Sequence, residues 1–383
     1  MSGPIALFFG TRPQVIKASV LRRALASAGD VLAVDTGQHY DYALQQVHYD
    51  QLGVRPADAY LNIGSGSHAS QTAAILTACE AWMLEHRPRL AVVIGDTNST
   101  VACALAAAKL RVPVAHVEAG LRAKDRAMAE EINRRVVDAI ADVLFAPSPR
   151  AAATLRHERP EAAIEVSGDV AYDVLLGALS RVPSPDAVAG YQREWVDGFV
   201  YVTLHRAELV DAPERLNRVL AALSRSPLPC LLAAHPRTQQ AISSTGLQVR
   251  DALSMGGPLG YLESLALART AKAVVTDSGG LQREAYWLGV PCFTVRDETE
   301  WAETIECGAN HLVPPDVAAA LPEMIATLNG TAPRWDRTAY GDGHAAHCPQ
   351  QPIALGAVVG GLRQVDQEQQ LVFHLEEPCR LLR

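Results

Sequence analysis

Two carboxylates in the stretch 92–147 directly follow apolar, strand-like runs, and they are the clearest candidates for acid/base chemistry in this chain. Asp96 follows the run 92–94, and Glu118 follows the run 112–117. In open parallel α/β sheets, ligands bind beyond the carboxyl ends of the strands. We therefore expect both carboxylates to lie on the floor of one site, where they can remove or deliver protons.

Two turns carry groups that bind anions. Arg12 and Lys17 lie near the start of a predicted helix after the strand 5–9, where backbone N–H groups and the helix dipole favour negative charge. The turn 278–280 reads Ser-Gly-Gly and opens another predicted helix, and its small residues let a phosphate approach the backbone. Glu284, one turn further on, could accept hydrogen bonds from ribose hydroxyls. The alternative is that Arg12 and Lys17 are ordinary surface residues and that the turn binds nothing.

His205 and His235 each follow a strand-like run and each have an arginine close by. A single histidine at a strand end is more often structural than catalytic, but two at the same sheet edge favour a cleft that faces an anion. Gln38, His39 and Gln71 could also line a cleft, although isolated polar loop residues are more often structural.

Strand-like and helical segments alternate along the chain, which indicates βαβ units and a parallel α/β sheet. The predicted strands are residues 5–9, 31–34, 92–94, 112–117, 166–170, 199–204, 230–234, 273–276 and 290–295. Charged and small residues gather at strand carboxyl ends in both halves of the chain. We therefore expect two similar α/β halves that face one another across a cleft.

The segment 176–192 is rich in proline and glycine, so we interpret it as the connection between two domains. The predicted division is an N-terminal domain of residues 1–175 with the carboxylates, a C-terminal domain of residues 176–346, and a divergent tail of residues 347–383. Prolines at 349 and 352 make the start of that tail a poor helix.

Composition narrows the functional classes. The chain has 383 residues, of which 49% are hydrophobic, and its formal net charge of −8 argues against broad binding of nucleic acid or of a membrane surface. Its seven cysteines contain no C-x-x-C pair, so they predict neither a zinc site nor a disulfide framework and fit a reducing cytoplasm. No apolar run approaches the ~20 residues of a membrane helix, and we expect no signal peptide.

Several separated blocks of sequence together carry a family resemblance. They are GTRP at 10–13 with IK at 16–17, TGQH at 36–39, GDT at 95–97, HVEAGLR at 116–122, EEINR at 130–134, HR at 205–206 and TDSGGLQ at 276–282. In this order they closely resemble the non-hydrolysing UDP-N-acetylglucosamine 2-epimerases, from about residue 5 to about residue 345. The blocks at 61–68 and 299–301 look more like the branch that includes archaeal enzymes and epimerases of diacetamido uronic-acid UDP-sugars.

The resemblance implies a GT-B-like fold, in which two Rossmann-like, doubly wound domains hold a UDP-sugar in a central cleft. It implies interconversion of UDP-GlcNAc and UDP-ManNAc, or of a closely related UDP-2-acetamido sugar, without a cofactor or a metal. The C2 proton is removed and UDP is expelled to give a 2-acetamidoglucal, and UDP re-adds after a proton reaches the opposite face of C2. It also implies a homodimer, and no nucleic-acid or membrane partner is expected.

The resemblance assigns acid/base roles to Asp96, Glu118 and Glu130. At least two of them should matter, because inversion needs proton access to both faces of C2. The other implied roles concern substrate binding and regulation. The diphosphate would be stabilised by Arg12, Lys17, His205, Ser278, Gly279 and Gly280; Arg134 would orient Glu130 or contact phosphate; His235 would lie in the cleft; Glu284 would contact the ribose; and Gln38, His39 and Gln71 match positions near a regulatory UDP-GlcNAc site.

Six positions depart from the commoner bacterial pattern of this family. Gln14 and Arg283 each stand where a Glu is usual, Ala129 replaces a Pro, and Ser264 replaces a Phe that lies against uracil. Residues 301–302 read Trp-Ala in place of Arg-Pro. These changes leave the acid/base candidates intact and bear on which sugar is bound.

An epimerase is the leading hypothesis. The alternative enzyme is a GT-B glycosyltransferase with the same donor cleft, which needs an acceptor pocket and one base but not three carboxylates beside the sugar ring. A third hypothesis is a nucleotide-sugar-binding protein without turnover, and the intact set of Asp96, Glu118 and Glu130 argues against it.

Overall fold

The structure is a computed structural model that describes residues 3–38, 53–195, 198–247, 249–328 and 334–350. Within these ranges the chain forms two parallel sheets flanked by helices, which confirms the predicted α/β class. Parallel strands require long crossover connections, and the helices between the strands supply them. In the same ranges no helix is both long and apolar enough to cross a membrane.

The first sheet has seven parallel strands among the described residues. Their spatial order is β3 (Ala59–Tyr60), β2 (Val31–Asp35), β1 (Ile5–Phe9), β4 (Leu90–Ile94), β5 (Val114–Val117), β6 (Val143–Ala146) and β7 (Ala163–Val166). The helices of this half are α1 (Arg12–Leu25), α2 (His68–His86), α3 (Asn98–Lys109), α4 (Ala129–Ile140), α5 (Pro149–Glu158) and α6 (Val170–Ala178). Central strands are buried along their whole length, as expected when helices cover both faces of a sheet.

The second sheet repeats this arrangement with six parallel strands in the described part of the chain. Their spatial order is β10 (Leu253–Gly256), β9 (Cys230–Ala233), β8 (Val200–Thr203), β11 (Ala273–Thr276), β12 (Cys292–Thr294) and β13 (Asn310–Leu312). Its helices are α7 (Ala207–Val210), α8 (Pro213–Ser224), α9 (Pro236–Thr245), α10 (Tyr261–Thr270), α11 (Gly279–Leu288), α12 (Ala302–Glu306) and α13 (Leu321–Ala326).

Each sheet has a point at which the direction of winding reverses, between β1 and β4 in the first sheet and between β8 and β11 in the second. Doubly wound sheets bind ligands at this point, beyond the strand carboxyl ends. Arg12 follows β1, Asp96 follows β4, His205 follows β8 and Ser278 follows β11. The topology therefore gathers four of the predicted site residues at two switch points.

The predicted strand 166–170 is wrong in its position. The strand is Ala163–Val166, and Val170 already begins α6. Gly168 has a φ of +84°, which ends the extended chain, and the side chain of Asp169 accepts a hydrogen bond from the N–H of Ala171, 2.8 Å away. An Asp at this position starts a helix because it satisfies an N–H group that has no partner within the helix.

The described C-terminal residues return to the first half of the molecule. The N–H of Asp169 donates to the carbonyl of Tyr340 at 2.9 Å, and the carboxylate of Asp173 accepts from the N–H groups of Ala345 and Ala346 at 3.0 and 2.9 Å. Both alanines are buried in the same core as β1 and α1. The domain boundaries proposed from the sequence stay a prediction, as does the tail, of which only residues 347–350 lie in the described ranges.

Candidate active site

A cavity of about 750 Å³ lies between the two halves of the molecule. Its size suits a nucleotide-sized ligand, because small-molecule pockets typically measure ~300–1,000 Å³. Seven residues predicted to bind substrate line it, from both halves: Arg12, Lys17, His205, His235, Ser278, Gly280 and Glu284.

Two helices begin at this cavity. Arg12 is the first residue of α1, and Ser278 caps α11, with its Oγ 3.4 Å from the N–H of Leu281. A Cβ built on Gly280 would meet only Ser278 Oγ, at 3.6 Å, whereas one on Gly279 would lie 3.1 Å from Nε1 of Trp301. Gly280 lines the cavity without a side chain that would fill it, and Gly279 lets the helix pack against Trp301.

The two predicted histidines are neighbours, with ring centroids 6.4 Å apart. Burial lowers the pKa of His235, and the positive charges of His205, Arg12 and Arg237 lower it further. His235 is therefore a neutral imidazole at neutral pH. Its Nδ1 accepts from the N–H of Arg237 at 3.4 Å, so its Nε2 carries the proton and can donate a hydrogen bond to a phosphate or a sugar.

His205 is held by Asp277, to which the sequence analysis gave no role. Oδ2 of Asp277 accepts hydrogen bonds from the backbone N–H groups of His205 and Arg206, both at 2.8 Å. Its Oδ1 is buried without a hydrogen-bond partner in the described part of the structure, and the charge of this oxygen lies 3.0 Å from Nδ1 of His205. This contact favours the proton on Nδ1, which leaves Nε2 to accept a proton or a hydrogen bond.

Glu118 follows β5 in a left-handed backbone conformation with a φ of +69°. Nζ of Lys17 lies 2.6 Å from its Oε1 and 2.7 Å from its Oε2, and Nη1 of Arg283 lies 3.3 Å from Oε1. Burial raises the pKa of Glu118, but the charges of Lys17 and Arg283 outweigh burial and hold that pKa at about 2. The carboxylate is thus ionised, and Lys17 lies against it as well as against the cavity.

Asp96 is held by Arg134. Its Oδ2 accepts from Nε of Arg134 at 2.9 Å and from Nη2 at 2.5 Å. The same guanidinium lies 3.3 Å from Glu131 and 3.7 Å from Glu300 of the opposite half. Arg134 therefore orients Asp96 in this structure and also contacts Glu131. Its predicted role, to orient Glu130 or to contact phosphate, stays a prediction.

Glu130 and Glu131 differ sharply in environment. Glu131 is fully buried and accepts hydrogen bonds from the N–H of Ala123 and from Arg135. Glu130 is exposed in the first turn of α4. None of the three acid/base candidates Asp96, Glu118 and Glu130 lines the cavity of about 750 Å³ directly. The acid/base role of Glu130 stays a prediction.

Gln38 and Gln71, two of the residues predicted to lie near a regulatory site, form hydrogen bonds within the N-terminal half of the molecule. Oε1 of Gln38 accepts from the N–H and the hydroxyl of Ser99, at 2.9 and 2.7 Å. Nε2 of Gln71 donates to the carbonyls of Gln38 and Gly64, and its Oε1 accepts from Asn98. His39 lies outside the described residues. The regulatory site therefore stays a prediction.

Glu284 lines the cavity beside Tyr261. Burial raises the pKa of Glu284, while the charge of Arg283 and a hydrogen bond with Tyr261 lower it. Ser264, which stands where a stacking Phe is common, has its Oγ 2.9 Å from the hydroxyl of Tyr201, and both side chains line the same cavity. This end of the cavity is therefore lined by two tyrosines, Tyr201 and Tyr261, and by the hydroxyl group of Ser264.

Two departures from the commoner bacterial pattern meet in space. Cζ of Arg283 lies 3.9 Å from the centre of the Trp301 ring, and the side chains are 6% and 4% exposed. Arg283 and Trp301 are separate positions in the sequence, but their side chains form one cation–π contact in the structure.

Gln14, a third departure, links both switch-point strands of the first sheet. Its Oε1 accepts from the N–H groups of Gly10 and Thr11, at 2.9 and 3.2 Å. Its Nε2 donates to the carbonyl of Ile94 at 2.7 Å and lies 3.0 Å from Oγ1 of Thr97. An ionised Glu could not donate to the carbonyl of Ile94, so this environment suits the amide.

Known proteins resemble this chain over most of its length. The sequence profile of the UDP-N-acetylglucosamine 2-epimerase family matches residues 23–348. The UDP-2,3-diacetamido-2,3-dideoxy-D-glucuronate 2-epimerase of Pseudomonas aeruginosa is 41% identical over 350 residues, which cover 89% of this chain and 97% of that protein. The UDP-N-acetylglucosamine 2-epimerase of Methanocaldococcus jannaschii is 39% identical over 321 residues, which cover 81% of this chain and 88% of that protein.

Solved structures agree with this similarity. The crystal structure of the Methanocaldococcus jannaschii enzyme in complex with UDP-GlcNAc and UDP superposes with a TM-score of 0.81 at 35% identity, covering 92% of this chain and 100% of that one. The predicted GT-B-like arrangement is thereby confirmed. The chain belongs to the UDP-N-acetylglucosamine 2-epimerase family.

Proposed function

We propose that this protein is an epimerase that interconverts UDP-GlcNAc and UDP-ManNAc, or a closely related UDP-2-acetamido sugar, at C2. One observation carries the proposal. A single cavity between two switch points has an anion-binding end, built from two helix N-termini and their cations, and Lys17 in its lining contacts the ionised carboxylate of Glu118. That combination suits a reaction in which a diphosphate leaves as a proton is taken from the neighbouring carbon.

The diphosphate binds between the N-termini of α1 and α11. Arg12 supplies a guanidinium on one side, and Ser278 and the amide of Gly280 supply hydrogen bonds on the other. His205 and His235 lie along the same cavity. Donors that are already in place stabilise the charge that develops on the leaving UDP.

Elimination breaks two bonds of the sugar. A carboxylate takes the C2 proton, the C–H electrons form the C1–C2 double bond, and the C1–O electrons leave with UDP. In the second step the glucal accepts a proton on the opposite face of C2, and UDP re-forms its bond to C1. The two faces require two proton-transfer groups, and we assign them to Glu118 and Asp96, with Glu130 as the third candidate.

Lys17 links diphosphate binding to the basicity of Glu118. With both contacts to Lys17 in place, the pKa of Glu118 is about 2, which makes it a weak base. A diphosphate in the cavity competes for Lys17, which lines the same space. As Lys17 turns toward the phosphate, Glu118 becomes a stronger base at the moment when the sugar is in place.

The test is deuterium incorporation at C2. The protein is incubated in D2O with UDP-GlcNAc alone, and in parallel with UDP-2,3-diacetamido-2,3-dideoxy-glucuronate, and C2 is followed by NMR. We expect deuterium at C2 together with the manno epimer for at least one substrate. Absence of exchange with both sugars, combined with sugar transfer when an acceptor is added, would overturn the proposal in favour of a GT-B glycosyltransferase.

A matched pair of variants assigns the chemistry. Glu118→Gln and Asp96→Asn should abolish exchange and retain UDP binding, while Glu80→Gln, at an exposed position of α2, should leave both unchanged. Full exchange in both active-site variants would show that the carboxylates are wrongly assigned. The homodimer and the cytoplasmic location stay predictions, and sedimentation velocity tests the first of them.

A further inference from the structure

Arg283 reaches across the cleft from the C-terminal half to two carboxylates of the N-terminal half. Its Nη1 lies 3.3 Å from Oε1 of Glu118 and donates a hydrogen bond to Asp169. Arg283 belongs to α11, one turn after Gly279, whereas Glu118 follows β5 and Asp169 caps α6. The guanidinium of Arg283 therefore connects α11 of the C-terminal half to two points of the N-terminal half, the end of β5 and the start of α6.

The guanidinium is also held within its own half. Its Nε donates to the carbonyl of Gly279 at 3.2 Å, and its Cζ lies 3.9 Å from the centre of the Trp301 ring. Trp301 in turn contacts Tyr340 edge-on, with ring centroids 5.4 Å apart. These contacts restrain the planar guanidinium group, so Arg283 contacts Glu118 in one orientation.

We propose that Arg283 is a positioning residue, which fixes the orientation of the Glu118 carboxylate only while the two halves of the molecule are closed on one another. Trp301 holds the guanidinium in place for this purpose. The inference rests on the proposed function for the chemistry of Glu118, but the interdomain contact itself does not depend on it.

The two cations that contact Glu118 belong to different halves of the molecule. Lys17 lies on α1, in the same half as Glu118, and keeps its contact when the halves separate. Arg283 lies in the other half and loses its contact. Domain closure therefore supplies the second cation to Glu118, and closed molecules carry the carboxylate in its oriented, ionised form.

Other titratable groups face this cluster and set the sign of the expected pH effect. Burial raises the pKa of Glu118, and Lys17 and Arg283 lower it, so that removal of Arg283 must raise it. The further groups that interact with Arg283 are Asp169, Glu284, Tyr261 and Tyr340. Asp169 and Glu284 are acidic, so loss of Arg283 leaves the cluster more negative and raises the pKa of Glu118 further.

The test compares Arg283→Gln with Arg283→Lys, which keeps the charge but not the fork. Arg150→Gln is the matched control, because Arg150 pairs across the same two halves with Glu306, away from Glu118. The double variant Asp169→Asn/Arg283→Gln removes the acid that Arg283→Gln leaves unpaired, and Asn still caps a helix. It replaces Arg283→Gln if the single variant does not fold.

Two readouts are taken on each variant. The first is the pH dependence of kcat and KM for deuterium exchange at C2. The second is a 13C NMR titration of carboxyl-labelled glutamate, in which Glu118 is assigned by the signal missing from Glu118→Gln. The titration does not require turnover, so absence of exchange in the wild-type protein would refute the proposed function and still leave the role of Arg283 measurable.

We expect Arg283→Gln to lower kcat about 10- to 100-fold with little change in KM, because a misplaced reacting group costs rate more than binding. The acidic limb of the kcat profile and the Glu118 titration should both move upward by about one pH unit. Arg283→Lys should restore the pH limb but only part of kcat. An unchanged Glu118 titration in Arg283→Gln, or an equal shift in Arg150→Gln, would overturn the proposal.

Discussion

Lys17 and Glu118 form a buried ion pair in which Nζ lies within 2.7 Å of both carboxylate oxygens. Lys17 lines the cavity, Glu118 lies behind it, and neither residue is more than 9% exposed. A phosphate that binds Lys17 and a sugar that approaches Glu118 therefore act on one electrostatic unit.

The ion pair makes stability depend on pH. Glu118 has a pKa of about 2 in the folded protein and 4.5 as its ordinary value, so its contribution is complete above about 4.5 and is lost as the pH falls toward 2. The contribution is on the order of 3 kcal/mol. Urea unfolding from pH 5 to 2.5 should show a steep loss of stability that Glu118→Gln makes shallower. Equal slopes for the two proteins would contradict the pairing.

Gln14→Glu should destabilise the protein by about 1–3 kcal/mol, because it places a carboxylate oxygen against the carbonyl of Ile94. Gln240→Glu makes the same chemical change at an exposed position of α9 and should have little effect. Thermal unfolding at pH 7 measures both. Protonation of the new carboxyl group restores a donor, so the difference between the variants should narrow near pH 4 and below. If the difference in stability between the two variants did not change with pH, hydrogen bonding by residue 14 would not be its cause.

Asp277→Asn should lower kcat for C2 exchange by about 100-fold while UDP binding is retained. The Asn carbonyl can still accept from the N–H groups of His205 and Arg206, but its amide group would then face Nδ1 of His205 and favour the wrong tautomer. Steady-state exchange kinetics and calorimetric titration with UDP separate the two effects. Asp316→Asn, at an exposed position, is the control, and equal losses in both variants would refute the role of Asp277.

Gly10→Ala should destabilise the protein by about 1–3 kcal/mol. A Cβ on Gly10 would lie 2.1 Å from Oγ1 of Thr36 and 2.2 Å from Oγ of Ser99, which hydrogen-bond one another at 2.7 Å. Gly177→Ala is the matched control, since a Cβ there meets nothing within 4 Å in the described structure and α6 gains about 0.5–1 kcal/mol in helix propensity. Chemical denaturation should therefore give opposite signs. A stabilised Gly10→Ala variant would show that the strand end can open.

The sequence by itself determined the local elements and where chemistry could occur. The strands 5–9 and 273–276 were predicted with correct bounds because buried strands of a parallel sheet are continuous apolar runs. The Ser-Gly-Gly turn could be assigned to a helix start from its residue types alone. Short edge strands such as Ala59–Tyr60 escaped prediction, because two residues at a sheet edge leave no periodic pattern.

Only the tertiary structure decided which charges meet. Lys17, which the sequence predicts to bind phosphate, forms an ion pair with Glu118. Arg134, which the sequence predicts to orient Glu130 or contact phosphate, forms an ion pair with Asp96. Arg283 reaches Glu118 from the opposite half of the molecule. Residue types and local spacing predict a charge and its element, but a pairing depends on strand order and on how two sheets face one another. Those are long-range properties, because the paired side chains lie between 38 and 165 residues apart in the sequence and meet only when the chain folds.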